Sequence, residues 1–497
     1  MESFELSLPD VPRASEVFIG GAWEPAGGGL HKVVSPATEK AVLDVGLPSE
    51  AQAAAAVTRA RTQGMSAWAQ LAVSDRVRFV RNMCDLIESR FDDIGRLWAV
   101  EAGMPVRYSR NLHRYGAVAA WGAALAVAEQ ALADEWREGA TGRLLVRREP
   151  AGVVVGVLAY NAPVVMFGTK IVPALLAGCP VIVKAAPESH LVMRVVAECA
   201  EAAGLPPGTL SILCGDAQLG HWLAANPDVD LVSLTGGHRA AQSIIESTRG
   251  RFARTHLELG GKSAALILPD AHVDQVVKSL VPGAAAGAGQ VCALLTRILV
   301  PESRRDDYLD ALKRTWSRLA VGNPLDVETR VGPLANRAAL DRTETFLAQA
   351  LDDGAQVLVG GRRPDGLPVG WFFEPTIVTD VARDAQIART EVFGPITAVL
   401  TYSDLEDGIA LANDTDFGLA ASVYTNDESQ AMECAGRIQA GSVALNTFGP
   451  DLAAPWGGRR SSGWGREGGP EGILEFTELK QVLVGPGLEL GSTAAAS

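Results

Sequence analysis

Two short strings in this 497-residue sequence place reactive side chains in settings that could do covalent chemistry. Gly287-Ala-Gly-Gln-Val-Cys292 brings a thiol to the end of a flexible, small-residue approach. Leu257-Glu258-Leu259-Gly260-Gly261-Lys262 sets a carboxylate at the end of an apolar strand beside two glycines. Either residue alone has an ordinary structural reading, since a free cysteine packs well in a core and a strand-end carboxylate is commonly paired. Together they supply a nucleophile and a base. A free thiol is only a few per cent ionised at neutral pH, so a catalytic Cys292 predicts a site that favours the thiolate.

The elements that must position them follow from the hydrophobic pattern. Val/Ile/Leu runs at 153–158, 181–183, 210–213 and 230–234 alternate with helical stretches near 164–177, 191–203, 217–224 and 238–248. Strands apolar on both faces, separated by helices, predict βαβ units around a buried parallel sheet. Ligands of such sheets sit where strands turn into helices, which singles out Tyr160-Asn161, Lys184-Ala-Ala-Pro187, Gly215 to Gly220 and Thr235-Gly236-Gly237. Residues 51–134 read as helical, and a second strand–helix series opens at Ala264-Ala-Leu-Ile-Leu268 and runs to about 445. Gly/Pro clusters at 360–370 and 449–470 predict long surface loops. The tail beyond Gly485 is expected to fray.

Two strings imitate nucleotide motifs. Gly463-Trp-Gly465-Arg-Glu-Gly468 spells G-x-G-x-x-G but is expected to follow no strand and open no helix. Gly261-Lys262-Ser263 ends like a phosphate loop, yet position 256 is His where glycine is required.

The net charge of −14, from 44 basic and 58 acidic residues, disfavours nucleic acid and anionic membranes as partners. Ala151–Thr169 is uncharged but carries Asn161 and Pro163 at its centre, so a strand and a helix are expected rather than a membrane span. Six unpatterned cysteines read as reduced and cytoplasmic. Seven histidines lack metal-ligand spacing, and no metal is expected. Met1–Pro12 lacks the basic and apolar regions of a signal peptide.

With Asn161, the Glu258–Cys292 pair and its spacing strongly resemble the aldehyde dehydrogenase superfamily, hydrolytic NAD(P)-dependent type. The same order of motifs continues through Tyr160-Asn161-Ala-Pro163, Lys184, Glu391-Val-Phe393-Gly-Pro395, Asn413, Gly418-Leu-Ala420, Pro455-Trp-Gly-Gly458 and Ser462-Gly-Trp-Gly-Arg-Glu467. The resemblance runs from about Phe18 to Lys480. It implies that Cys292 attacks an aldehyde carbon, and that the Asn161 amide and the Cys292 backbone N–H hold the oxyanion, one such donor being worth ~10²–10³ in rate. Hydride then passes to the nicotinamide and leaves a thioester. Glu258 would activate water against it, a general-base contribution of ~10²–10⁴. The resemblance also implies cofactor contacts from Tyr160, Lys184, Pro187, Gly220, Thr235, Gly236, Gly237, Leu259, Glu391 and Phe393.

Departures from the family pattern matter. Gly237 stands where a serine is common, and Ala241 replaces a usual glycine. Pro187 occupies the place of a glutamate that would repel a 2′-phosphate, which leaves NADP open; NAD is favoured because no extra Arg or Lys stands beside Lys184 to pair that phosphate. The implied substrate walls are Ala162, Met166, Phe167 and Thr169 on one side, and Ala293, Leu294, Phe448 and Trp456 on the other. None is charged, which points to an apolar pocket for a medium-chain, terpenoid or aromatic aldehyde. A semialdehyde would lack a counter-ion, and a betaine-type aldehyde would find only part of an aromatic cage. Coenzyme A-acylating relatives generally lack the base, so Glu258 argues against that reading. Intact Cys292, Glu258 and Asn161 argue against a catalytically silent scaffold, and thiol esterase activity would be a side reaction of Cys292. The expected fold is α/β: a doubly wound parallel-sheet cofactor domain (1–130 and 151–258), an α/β catalytic domain (259–445), and a small β oligomerisation arm (131–150 and 478–486) that gives a homodimer or homotetramer.

Overall fold

A computed structural model describes residues 13–140 and 142–485, together with Leu8 and Val11. The expected fraying tail, residue 486 of the expected arm and most of Met1–Pro12 lie outside the described residues.

The five strands Val154–Val157, Val181–Ala185, Leu210–Cys214, Leu231–Thr235 and Arg254–Glu258 form the parallel heart of an eight-stranded sheet. Val181–Ala185 and Leu210–Cys214 are buried at every residue, which is why they read as unbroken apolar runs. Helices Pro163–Met166 through Val172–Ala177, His190–Ala202, Ala217–Ala225 and His238–Thr248 connect them, close to where the pattern puts them. The uncharged 151–169 stretch divides into a strand and a helix, as expected, and no helix among the described residues is long and apolar enough to cross a membrane. Antiparallel strands Glu16–Ile19 and Ala22–Pro25 close one edge of the sheet.

The second sheet has seven strands, parallel except for Gln356–Val359, and holds Ala264–Ile267 and Arg297–Pro301 side by side at its centre. The architecture is thus mixed α/β with parallel-rich sheets. A separate three-stranded antiparallel sheet joins Glu135–Gly139, Gly142–Pro150 and Thr477–Leu483.

Two loop expectations need correction. Gly463–Trp464 is a short strand on the outer edge of Arg254–Glu258, and a helix, Gly469–Leu474, opens directly after Gly468. The 449–470 segment is also no mere surface loop: Trp456, Gly457, Gly458 and Ser462 are buried. Local composition shows only its glycines, whereas long-range strand pairing decides its place.

Candidate active site

In the first sheet Val154–Val157 neighbours both Val181–Ala185 and Leu231–Thr235, so the chain runs outward from it in two directions. The crevice at the C-terminal ends of such a pair is the natural ligand site of the fold. Asn161 and Gly236-Gly237 stand there, just past those two strand ends. Asn161 is buried and its side-chain amide makes no hydrogen bond among the described residues. Its neighbour Tyr160 donates its hydroxyl to Gln290 Oε1 at 3.0 Å.

Gln290 is the joint that sequence reasoning passed over, although it stands only two residues before Cys292. Fully buried, it also accepts from the Ala335 N–H at 3.1 Å and donates to the Gly287 carbonyl at 3.0 Å. One side chain therefore ties the Asn161 turn to the cysteine loop. That loop passes through three left-handed residues, Gly287, Ala288 and Gly289, before reaching Cys292, which is half-buried.

Gly260 and Gly261 explain why two glycines follow the Glu258 strand. A Cβ on Gly260 would fall 2.1 Å from Glu391 Oε2, and one on Gly261 would fall 2.7 Å from the Cys292 carbonyl oxygen. The Gly261 N–H donates to Glu391 Oε1 at 3.1 Å. The glycine pair is thus sandwiched between the nucleophile's backbone and the half-buried Glu391 carboxyl, with Glu258 just ahead of it on the same chain.

The electrostatics correct one expectation. Burial, together with Glu391, Glu258 and Glu467, pushes the Cys292 thiol up to about 12, so the protein alone favours the thiol rather than the thiolate. Burial also lifts Glu391 to about 7. Glu258 is raised well above the carboxylate range by burial and by neighbouring Glu467. Glu467 itself pairs with Lys170 at 2.8 Å, deep inside the protein.

The expected cofactor positions lie on the same side of the sheet ends. Lys184, at the end of its strand, is buried with its stem 3.8 Å from where a Gly220 Cβ would sit, and its ammonium has no hydrogen bond or ion pair among the described residues. Burial accordingly lowers it. Pro187 begins a 3₁₀ turn, and the adjacent Glu188 carboxylate is held by Asn336 Nδ2 at 2.7 Å. Thr235 ends its strand, the Gly236 N–H bonds the Glu258 carbonyl at 3.1 Å, and Gly237 precedes the 11-residue helix His238–Thr248 with no side-chain cap. The first-turn N–H groups there remain available to an anion. Leu259 is buried, its N–H on the Ser462 carbonyl. Phe393, itself left-handed at φ 52°, meets Tyr160 edge-on with ring centroids 6.2 Å apart.

Of the expected substrate walls, Ala293, Phe448 and Trp456 share an apolar cluster with Cys292, joined by Ala120, Leu419, Ala420 and Leu452. Ala120 and Leu452 were not foreseen; Ala120 lies on the distant helix Val118–Ala131, whose small residues carry no chemical signal. Ala162 and Met166 pack instead with the core of the first sheet, and Thr169 bonds the Met166 carbonyl. Among the described residues no cluster of three or more His, Cys, Asp or Glu could hold a metal ion.

The aldehyde dehydrogenase family model matches residues 23–482. The chain is similar to geranial dehydrogenase of Castellaniella defragrans, 36% identical over 94% of this chain and 98% of that one. It is also similar to 3-succinoylsemialdehyde-pyridine dehydrogenase of a Pseudomonas species, 35% identical over the same shares. Among solved structures, a Mycobacterium tuberculosis aldehyde dehydrogenase complexed with NAD+ superposes with a TM-score of 0.93 at 35% identity, covering 96% of this chain and 99% of that one.

Proposed function

Since the chain belongs to the aldehyde dehydrogenase family and is an oxidoreductase, we propose that it oxidises an apolar aldehyde to the carboxylic acid with NAD, through a thioester on Cys292. The observation that carries this reading is the Gly260-Gly261 sandwich, which stacks Cys292 against Glu391 and holds Glu258 beside them.

Cys292 Sγ, its proton lost to solvent, adds as the thiolate to the aldehyde carbon, and the oxyanion so formed falls to the free amide of Asn161 and the Cys292 N–H. The thioester left after oxidation is attacked by water. Glu258, ionised, takes the water proton, and collapse releases the acid and returns the sulfur. Gln290 and Tyr160 keep the oxyanion donor in register with the nucleophile. Hydride acceptance is the chemistry that NAD supplies when bound. The residues fit it: Lys184 offers a buried, unpaired ammonium to the adenosine ribose and Glu391 a carboxylate to the nicotinamide ribose. Gly220, Thr235, Gly236, Gly237 and Leu259 line the path between, and the uncapped first turn of His238–Thr248 offers its N–H groups to the pyrophosphate. Pro187 brings no carboxylate against a 2′-phosphate, so NADP is accepted less well rather than refused.

Ala120, Ala293, Leu419, Leu452, Phe448 and Trp456 give the aldehyde an uncharged wall, and the likeness to a geranial dehydrogenase supports a terpenoid, medium-chain or aromatic substrate. We also place the cofactor domain at 1–130 and 151–258 and the catalytic domain at 259–445. The arm (131–150 and 478–486) then pairs subunits of a homodimer or homotetramer. A kcat/KM panel of geranial, octanal, benzaldehyde, acetaldehyde, succinic semialdehyde and betaine aldehyde, each with NAD and NADP, tests the whole reading. Apolar aldehydes with NAD are expected to lead. A charged aldehyde or acetaldehyde in first place overturns the pocket assignment, and NADP ahead of NAD overturns the cofactor preference.

A further inference from the structure

His256 stands two residues before Glu258 on one strand, hence on the same face of the sheet. Its ring is buried and pinned. A Cβ on Gly465 would fall 2.3 Å from His256 Cδ2, so backbone covers the ring there, and Phe476 meets it edge-on at 6.1 Å. Nδ1 lies 3.1 Å from Ser233 Oγ, the residue directly paired with His256 on the adjacent strand.

Lys170 Nζ donates to Ser233 Oγ at 3.3 Å. An ammonium can only donate, and Nδ1 is the only other hydrogen-bond partner of Ser233 Oγ among the described residues, so the hydroxyl donates its own hydrogen to Nδ1, which puts the ring proton on Nε2. That Nε2–H has no hydrogen-bond partner among the described residues. The group it faces is Glu258 Oε1, 3.7 Å away and also without one. Two unpartnered buried atoms at that distance leave no room for a water between them, and an approach of under about 1 Å would bring them to hydrogen-bond distance.

We propose that His256 is a positioning residue for Glu258, its Nε2–H closing on the carboxylate as it ionises and holding the base charged and oriented for deacylation. The proposal rests on the reading of Glu258 as deacylation base. Glu467, Glu475, Lys170, Arg466 and Cys292 also face Glu258, the two glutamates opposing its charge and the cations favouring it. Burial, with Lys170, Arg466 and Arg254, keeps the imidazole well below its ordinary value, so it serves as a neutral donor.

Pre-steady-state kinetics with NAD and octanal separate the NADH burst from deacylation across pH 5.5–10. With His256→Leu the acid limb of deacylation is expected to move up by about one pH unit, the size a hydrogen bond to a charged group supplies. His256→Gln, which retains an N–H donor, is expected to bring most of it back. An unmoved limb in His256→Leu, or a limb that Gln leaves displaced, overturns the proposal. Should the Leu variant not fold, Ser233→Ala frees the tautomer with the ring in place; a smaller upward displacement is expected, and none overturns the proposal. Glu258→Gln in the same assay separates the two ideas. If it deacylates as fast as the unaltered enzyme, the assignment of the base fails. If it stalls while the His256 and Ser233 variants keep their limbs, only the role of His256 fails.

Discussion

At the scale of single residues, the thiol and the base carry separate halves of the reaction and can be silenced separately. Cys292→Ala is expected to abolish dehydrogenase turnover while calorimetry still finds the cofactor bound; turnover near that of the unaltered enzyme would refute the nucleophile. Glu258→Gln is expected to slow deacylation by ~10²–10⁴, leaving a burst of NADH and an acyl adduct on Cys292 visible by mass spectrometry. The pH dependence follows from the direction of the shifts. Both groups act in their deprotonated forms, and both are raised, Cys292 to about 12 and Glu258 well above a normal carboxylate. Activity should therefore climb from neutral into alkaline pH, not level off just above the pH at which ordinary carboxylates ionise. A kcat profile already flat from pH 6 would show that ligand binding reverses these shifts.

At the scale of elements, the glycine pair should discriminate between cofactor and nucleophile. Gly260→Ala presses on the Glu391 carboxyl, a side-chain end, and is expected to raise the KM for NAD with a modest change in kcat. Gly261→Ala presses on the backbone carbonyl of Cys292, which cannot swing aside, and a displacement of about 1 Å there is expected to lower kcat roughly a hundredfold. Equal effects from the two would sink the sandwich as the organising contact. The sequence patterns reached the βαβ strands because burial on both faces leaves an unbroken apolar signature, as in Val181–Ala185. They reached Cys292 and Glu258 because the glycines around them are themselves a signal. They missed Gln290, His256 and the Lys170–Glu467 pair. Gln290 and the Lys170–Glu467 pair work through partners far away in the chain, and the tautomer of His256 is set by Ser233 on the neighbouring strand; a lone polar residue carries no mark of what it will meet. The raised thiol of Cys292 was illegible for the same reason, since burial first, and then Glu391, Glu258 and Glu467, act on it only after folding.

At the scale of the whole molecule, the small antiparallel sheet is the part least explained by a single chain. Thr477–Leu483 has a free edge, and Leu479 and Leu483 are 64% and 56% exposed. Apolar side chains on an open strand need cover, which the subunit pairing proposed above would supply. Leu479→Glu with Leu483→Glu is expected to shift the protein to monomer by sedimentation velocity, with the secondary-structure content retained; an unchanged assembly would place the interface elsewhere. The edge of the first sheet has a consequence for how the chain is made. Glu258 lies on Arg254–Glu258, and among the described residues the outer side of that strand is paired only with Gly463–Trp464, through the pairs Leu257 with Trp464 and Glu258 with Gly463. On the ribosome, the strand emerges long before its cover does. Throughout that interval the nascent chain carries a bare sheet edge with the future base on it, open to mispairing with other chains. A premature stop anywhere before Gly463 therefore leaves an aggregation-prone fragment rather than a smaller enzyme.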